Sequence, residues 1–222
     1  INCSENKNEI IFKDNFNNLA DWKVYNYEND YLNNDVSDIL VISNGYNNGN
    51  SVFIQNRELN DARIYRELDV EPKSYYKVSF MLKSAKVGQE GIGANISAID
   101  CLETFVIDDT DDMWENEEIY IETSSKQDKI KLSLGVGGYN EVSKGYAYFD
   151  ELQVEKVNEI PENVPYLMFT DAYNRDDDGN DFVKKYSKLI FGALMGSVLI
   201  FSAAVCIKKK NDNNKEARLT KK

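Results

Sequence analysis

Histidine is missing altogether from the 222 residues. Its absence excludes Ser-His-Asp and Cys-His catalysis, H-E-x-x-H zinc sites and any imidazole general base in this chain. Bases are outnumbered, 26 Lys and Arg against 38 Asp and Glu, for a net charge of −12. Such acidity argues against nucleic acid and anionic lipid as partners of the N-terminal part, and suits neutral sugars, cations or basic partners. Cysteine is scarce. Cys3 and Cys101 form a disulfide only if their Cα atoms come within about 7 Å, which sequence does not decide. Cys206 reads as a small apolar helix residue, with acylation as the alternative. There is no initiator Met before Ile1, and an exported domain needs a signal or an earlier span, so a processed form or a fragment is expected.

What is present is organised around Leu189–Ile207, nineteen residues without a charge between Lys188 and Lys208. As a helix this run is about 28 Å long, close to the ~30 Å apolar core of a bilayer. A single transmembrane helix is therefore expected over 189–207. Within it Gly192 and Gly196 form GxxxG, a pattern that lets neighbouring membrane helices approach closely. The tail 208–222 holds seven bases against two acids, a net of +5, which leaves −17 for residues 1–188. Positive residues stay inside, so the tail is expected in the cytoplasm and the acidic domain outside the cell.

Ahead of the span the composition leans to β, with 14 Tyr and 10 Phe and abundant Ile and Val. No helical period of any length shows before residue 180. Residues 1–8 are polar and read as a disordered start. Strands are predicted near Trp22–Tyr25, Ile39–Ser43, Ser51–Gln55, Ala62–Leu68, Tyr75–Lys83, Gly93–Ile99, Thr104–Ile107, Glu117–Thr123, Lys129–Gly135 and Gly145–Val154. Lys129–Leu134 alternates polar and apolar, as a strand with one wet face requires. Asn44–Asn50 is a turn cluster. Some ten short strands at this spacing imply an all-β, antiparallel two-sheet sandwich. From about 157 to 188 the pattern fails, and an acidic stalk is expected, lying back on the domain through Tyr166–Phe169.

Ordered stretches resemble the galactose-binding-like jelly rolls of bacterial carbohydrate-binding modules. They are Asn60–Arg63, Val70–Tyr76, Gly93–Ser97, Asp111–Trp114, Leu134–Tyr139 and Gly145–Glu151. The set looks closest to the extracytoplasmic jelly roll of polytopic membrane glycosyltransferases of Gram-positive bacteria, and covers residues 9–156. The resemblance implies a structural calcium shared between the first and last strands. It would fall at Asp150, with Asn15 and Asn17 standing where the family has acids. It also implies that Trp22 and Trp114 pack between the sheets rather than stack on a sugar.

Loop tyrosines then remain as ligand-binding candidates: Tyr46, Tyr139, Tyr27 and Tyr31. Asp108–Asp112 reads as a solvated acidic turn. Asn174–Gly179 imitates a calcium loop but has Lys185 where the bidentate Glu belongs, so it reads as stalk. Asn2 and Asn95 begin glycosylation sequons, and for Asn95 a structural role in a strand is preferred. The expected function is a non-catalytic, membrane-anchored extracellular module recognising an envelope glycan or polymer. A structural module of a membrane glycosyltransferase is the alternative, and a two-carboxylate glycosidase a distant third.

Overall fold

The computed structural model describes residues 8–85, 91–98, 104–138 and 141–169. The span 189–207 with Gly192 and Gly196, the tail, Tyr139, the three cysteines and Asn174–Gly179 all lie outside them. Among the described residues no helix is long and apolar enough to cross a membrane.

Among the described residues twelve strands are divided between two sheets, with one short helix between β2 and β3. The large sheet contains β1 (Glu9–Asp14), β3 (Ser37–Ile42), β4 (Ser51–Asn60), β6 (Tyr75–Ala85), β9 (Glu115–Glu122), β11 (Ser143–Val157) and β12 (Tyr166–Met168). The small sheet runs β2 (Lys23–Asn26), β5 (Ala62–Asp69), β10 (Lys129–Val136), β7 (Ala94–Ala98) and β8 (Thr104–Val106). The chain changes sheet at most connections, which is the winding of a jelly roll.

Alternation explains the packing. Along β6, Tyr76, Val78, Phe80 and Leu82 are buried while their neighbours are half-exposed. Across the sandwich they meet Ile64, Ile96, Leu132 and Leu134 of the small sheet in one core cluster. Burial of this apolar surface, at roughly 25 cal/mol per Å², is what holds the two sheets together.

The fifteen-residue β11 organises the large sheet. Its first half pairs with β4 (Phe149 opposite Val52) and its second half with β1 (Leu152 opposite Asp14). On its other side lies β6, with a register shift between Asp150 and Gln153. Glu151 takes a left-handed φ of 50° there. Asp150 thus sits at the junction where β1 ends and β4 begins.

One expectation is corrected. A helix does occur before residue 180, α1 (Tyr27–Leu32). The Asn26 side chain accepts from the N–H of Asn29, and Asn33 ends the helix at φ 55°. Tyr27 N–H donates to the Asp61 carbonyl and Glu28 N–H to Asn60 Oδ1, both at 3.0 Å. Six residues are too few to display a 3.6-residue period or to stand alone, and tertiary hydrogen bonds hold them. After residue 157 the chain lies back on the domain at the residues expected from the sequence. Tyr166–Met168 add a parallel strand to β9, and Leu167 and Phe169 join the core, because apolar side chains beside an open sheet edge are buried by pairing with it.

Candidate ligand-binding face

In β11 the residues Tyr146 and Tyr148 alternate with buried Ala147 and Phe149, so both tyrosines point away from the core. Register places Phe53 of β4 and Lys83 of β6 on either side of Tyr148, with Leu40 of β3 beyond Phe53. These side chains form a row across the outer face of the large sheet. The Phe53 and Tyr148 centroids are 4.7 Å apart, Tyr146 and Tyr148 5.7 Å, and Phe53 and Tyr146 6.0 Å.

Two loops extend this row. The β8–β9 loop is clasped to Ser84 at the end of β6. Ser84 N–H donates to Thr110 Oγ1 (2.8 Å), Thr110 N–H to Ser84 Oγ (3.2 Å), and Asp112 N–H to the Ser84 carbonyl (2.9 Å). Both Ser84 and Thr110 are buried. The clasp delivers Trp114 to the row, 6.2 Å from Tyr148. From the β3–β4 turn comes Tyr46, 41% exposed and 6.1 Å from Trp114. Five rings are therefore contiguous, with Tyr148 touching three of the other four.

Tyr46 is held at its backbone. Its N–H donates to Asp150 Oδ2 at 2.8 Å, while Glu151 N–H donates to Oδ1 at 2.7 Å. At Gly45 a Cβ would lie 2.7 Å from that same Oδ2 and run into the Asn50 carbonyl, so only glycine lets the turn close on the carboxylate. Burial raises the Asp150 pKa above the ordinary 3.8, against the lowering by its two N–H donors, with Glu151 and Asp14 adding to the rise. Tyr146 and Tyr148 hydroxyls are raised above 10.0, first by burial and then by Asp112, so both phenols stay protonated donors at neutral pH.

The Asp150 corner is also where the resemblance implies calcium. Asp14 Oδ1 accepts from Phe16 N–H (2.7 Å) and Oδ2 from Trp22 Nε1–H (2.8 Å). Asn15 Oδ1 accepts from Asn17, whose own Oδ1 accepts from Asn50. Calcium takes six to eight hard oxygens. Here the carboxylates of Asp14 and Asp150 and the amides of Asn15 and Asn17 are engaged by protein N–H groups. Among the described residues no three acidic, His or Cys side chains gather as a metal set.

The sequence candidates are dispersed. Tyr46 is on the aromatic face. Tyr27 and Tyr31 lie on α1, 5.6 Å apart and 40% and 68% exposed, beside the Asn60 end of β4 and so at the far end of that ten-residue strand. Trp22 packs in the core, 5.6 Å from Phe16, as the resemblance implied. Trp114 does not: it is half-buried on the outer face among Tyr46, Tyr148 and Lys83, because the Ser84 clasp holds its loop outside the sandwich. Asn95 is buried, its amide donating to the carbonyls of Gly93 (3.0 Å) and Gly137 (2.8 Å), which agrees with a structural role. Tyr146, Tyr148 and Phe53 were not foreseen. The alternation in Tyr146-Ala147-Tyr148-Phe149 was the signal that could have found the first two.

No family model matches this sequence, and no curated protein does either. Among solved structures, a family 61 carbohydrate-binding module in complex with β-1,4-galactotriose is 16% identical. The match covers 63% of this chain and 90% of that one at a TM-score of 0.44. A family 4 module is 17% identical over 67% and 95%, also at 0.44. A xylan-binding family 22 module from Paenibacillus barcinonensis is 14% identical over 69% and 97%, again at 0.44. At such identities no contact in those proteins transfers residue by residue.

Proposed function

We propose that the jelly roll is a non-catalytic module that binds a glycan across the outer face of its large sheet. The observation that carries this reading is the contiguous platform of Tyr46, Trp114, Tyr148, Tyr146 and Phe53. Ring faces complement the C–H face of a pyranose, and protonated phenols supply hydrogen bonds to its hydroxyls. A sandwich braced by a continuous core keeps such a platform rigid, so little ordering entropy is lost on binding. The apolar run 189–207 supports anchoring of the module at the cell surface, with the tail inside. Anchoring holds weakly binding faces at high effective concentration along an envelope polymer.

The two tryptophans allow a direct test. A Trp22→Phe variant leaves Trp114 as the sole indole, and titration with soluble polysaccharides should change its fluorescence. Trp114→Ala and Tyr148→Ala should remove retention in affinity gels. Absence of retention and of any fluorescence change across wall, storage and capsular polysaccharides would refute the reading.

A further inference from the structure

Lys83 brings a cation to the aromatic face. Lys83 Nζ lies 4.3 Å from the Tyr148 ring centroid and 5.6 Å from that of Trp114, and the side chain is only 13% exposed. An uncompensated ammonium there would select ligands bearing carboxylate, sulfate or phosphate. It is compensated. Asp112 Oδ1 stands 3.8 Å from Nζ, and the same carboxylate is the hydrogen-bond partner of the Tyr146 hydroxyl. The Ser84 clasp sets its position, since Asp112 N–H bonds to the carbonyl next to Lys83. Asp112 adopts φ 63°, a left-handed conformation that Asp and Asn tolerate better than other side chains. Asp111 and Glu115 flank it on the same stretch, both exposed, and Asp109 adds its charge at Tyr146. Lys83 is thus paired with Asp112, and Asp109, Asp111 and Glu115 stand close to that carboxylate along the chain.

We propose that Asp112 is a specificity-determining residue of this face: by neutralising Lys83 it admits uncharged sugars and turns away anionic ones. The proposal rests on the reading of the face as a glycan site. Lys83 then acts through its π contacts and as a hydroxyl donor, while an incoming carboxylate meets Asp112 and its acidic neighbours without a free cation to pair with.

The test uses the whole chain in affinity gels and calorimetry against neutral polymers and carboxylated derivatives of the same backbone, hydroxyethyl- and carboxymethylated cellulose and xylan with and without uronate among them. The wild-type protein should retain only on neutral forms, with binding unchanged from about 20 to about 500 mM NaCl, where surface charge effects are progressively screened. Asp112→Asn keeps size and backbone preference while freeing Lys83. It should raise the ratio of carboxylated to neutral affinity at least about tenfold at low salt, a gain erased by high salt. Adding Lys83→Met should return the ratio to its wild-type value. The assignment of Asp112 alone is overturned if the wild type binds a carboxylated polymer as tightly as its neutral counterpart. It is equally overturned if Asp112→Asn, still binding the neutral polymer, leaves the ratio where it was. Failure to bind any polymer overturns the glycan reading as well.

Discussion

The outward positions of the large sheet carry Phe53, Tyr146, Tyr148 and Lys83; those of the small sheet carry Lys23, Tyr65, Glu67, Lys129 and Lys131. Both sets alternate with the same buried core. On the small sheet the Tyr65 ring is flanked by ions: Lys23 Nζ is 5.9 Å from the Tyr65 centroid, and Lys129 pairs with Glu67 at 2.7 Å. Exposed pairs of this kind contribute little to stability and satisfy each other rather than a ligand. On the large sheet five rings touch and Lys83 is folded in among them. A sandwich therefore has two faces available, and what distinguishes them is the choice made at every second residue, together with the β3–β4 and β8–β9 loops that bring Tyr46 and Trp114 to the large one.

The largest contrast lies within β11. Phe149→Ala should lose about 3–5 kcal/mol in urea unfolding, since it empties the core. Tyr148→Ala, one residue away, should lose no more than about 1.5 kcal/mol. Equal losses would mean that the aromatic face is structural. In binding the order reverses between faces. Tyr148→Ala should weaken glycan affinity at least about tenfold, roughly 1.4 kcal/mol, by calorimetry. Tyr65→Ala on the small sheet should stay within about twofold.

A smaller effect is expected from alkali. Tyr146 and Tyr148 titrate above the ordinary 10.0 through burial and the charge of Asp112. A phenol raised on folding contributes stability that is complete below the unfolded value and lost as pH climbs through the folded one. Absorbance at alkaline pH should show these two ionising after the exposed tyrosines, with glycan binding falling in the same interval; loss of binding near neutrality would point to another group. Smallest of all is the effect of calcium. With the oxygens of Asp14 and Asp150 engaged by N–H donors, melting temperatures with calcium and with chelator should agree. A calcium-dependent rise would show that Asn15, Asn17 and Asp150 rearrange around the ion.

The strand pattern was legible because alternation is local: Tyr75–Lys83 and Lys129–Gly135 read as strands before any partner is known, and the observed strands extend them by one or two residues. Trp22 was legible as core. Trp114 was not, since its side is chosen by the Ser84–Thr110 clasp, a contact between residues 26 positions apart. Nor was α1 legible, because its support comes from Asn60 and Asp61 across the fold. Tyr46 and Tyr27 look alike in sequence, each a loop tyrosine among asparagines. Only strand register assigns the first to the aromatic row and the second to the far end of β4.

Taken alone, the order of residues determined the β class, the absence of histidine chemistry, the acidic balance and the uncharged run 189–207, because each depends on composition or on neighbours along the chain. Which aromatic rings meet, which carboxylate lies beside Lys83, and where the β1 and β4 ends come together on β11 were decided by tertiary structure. Those contacts join residues distant in sequence, and only closed sheets with fixed register bring them within a few ångströms.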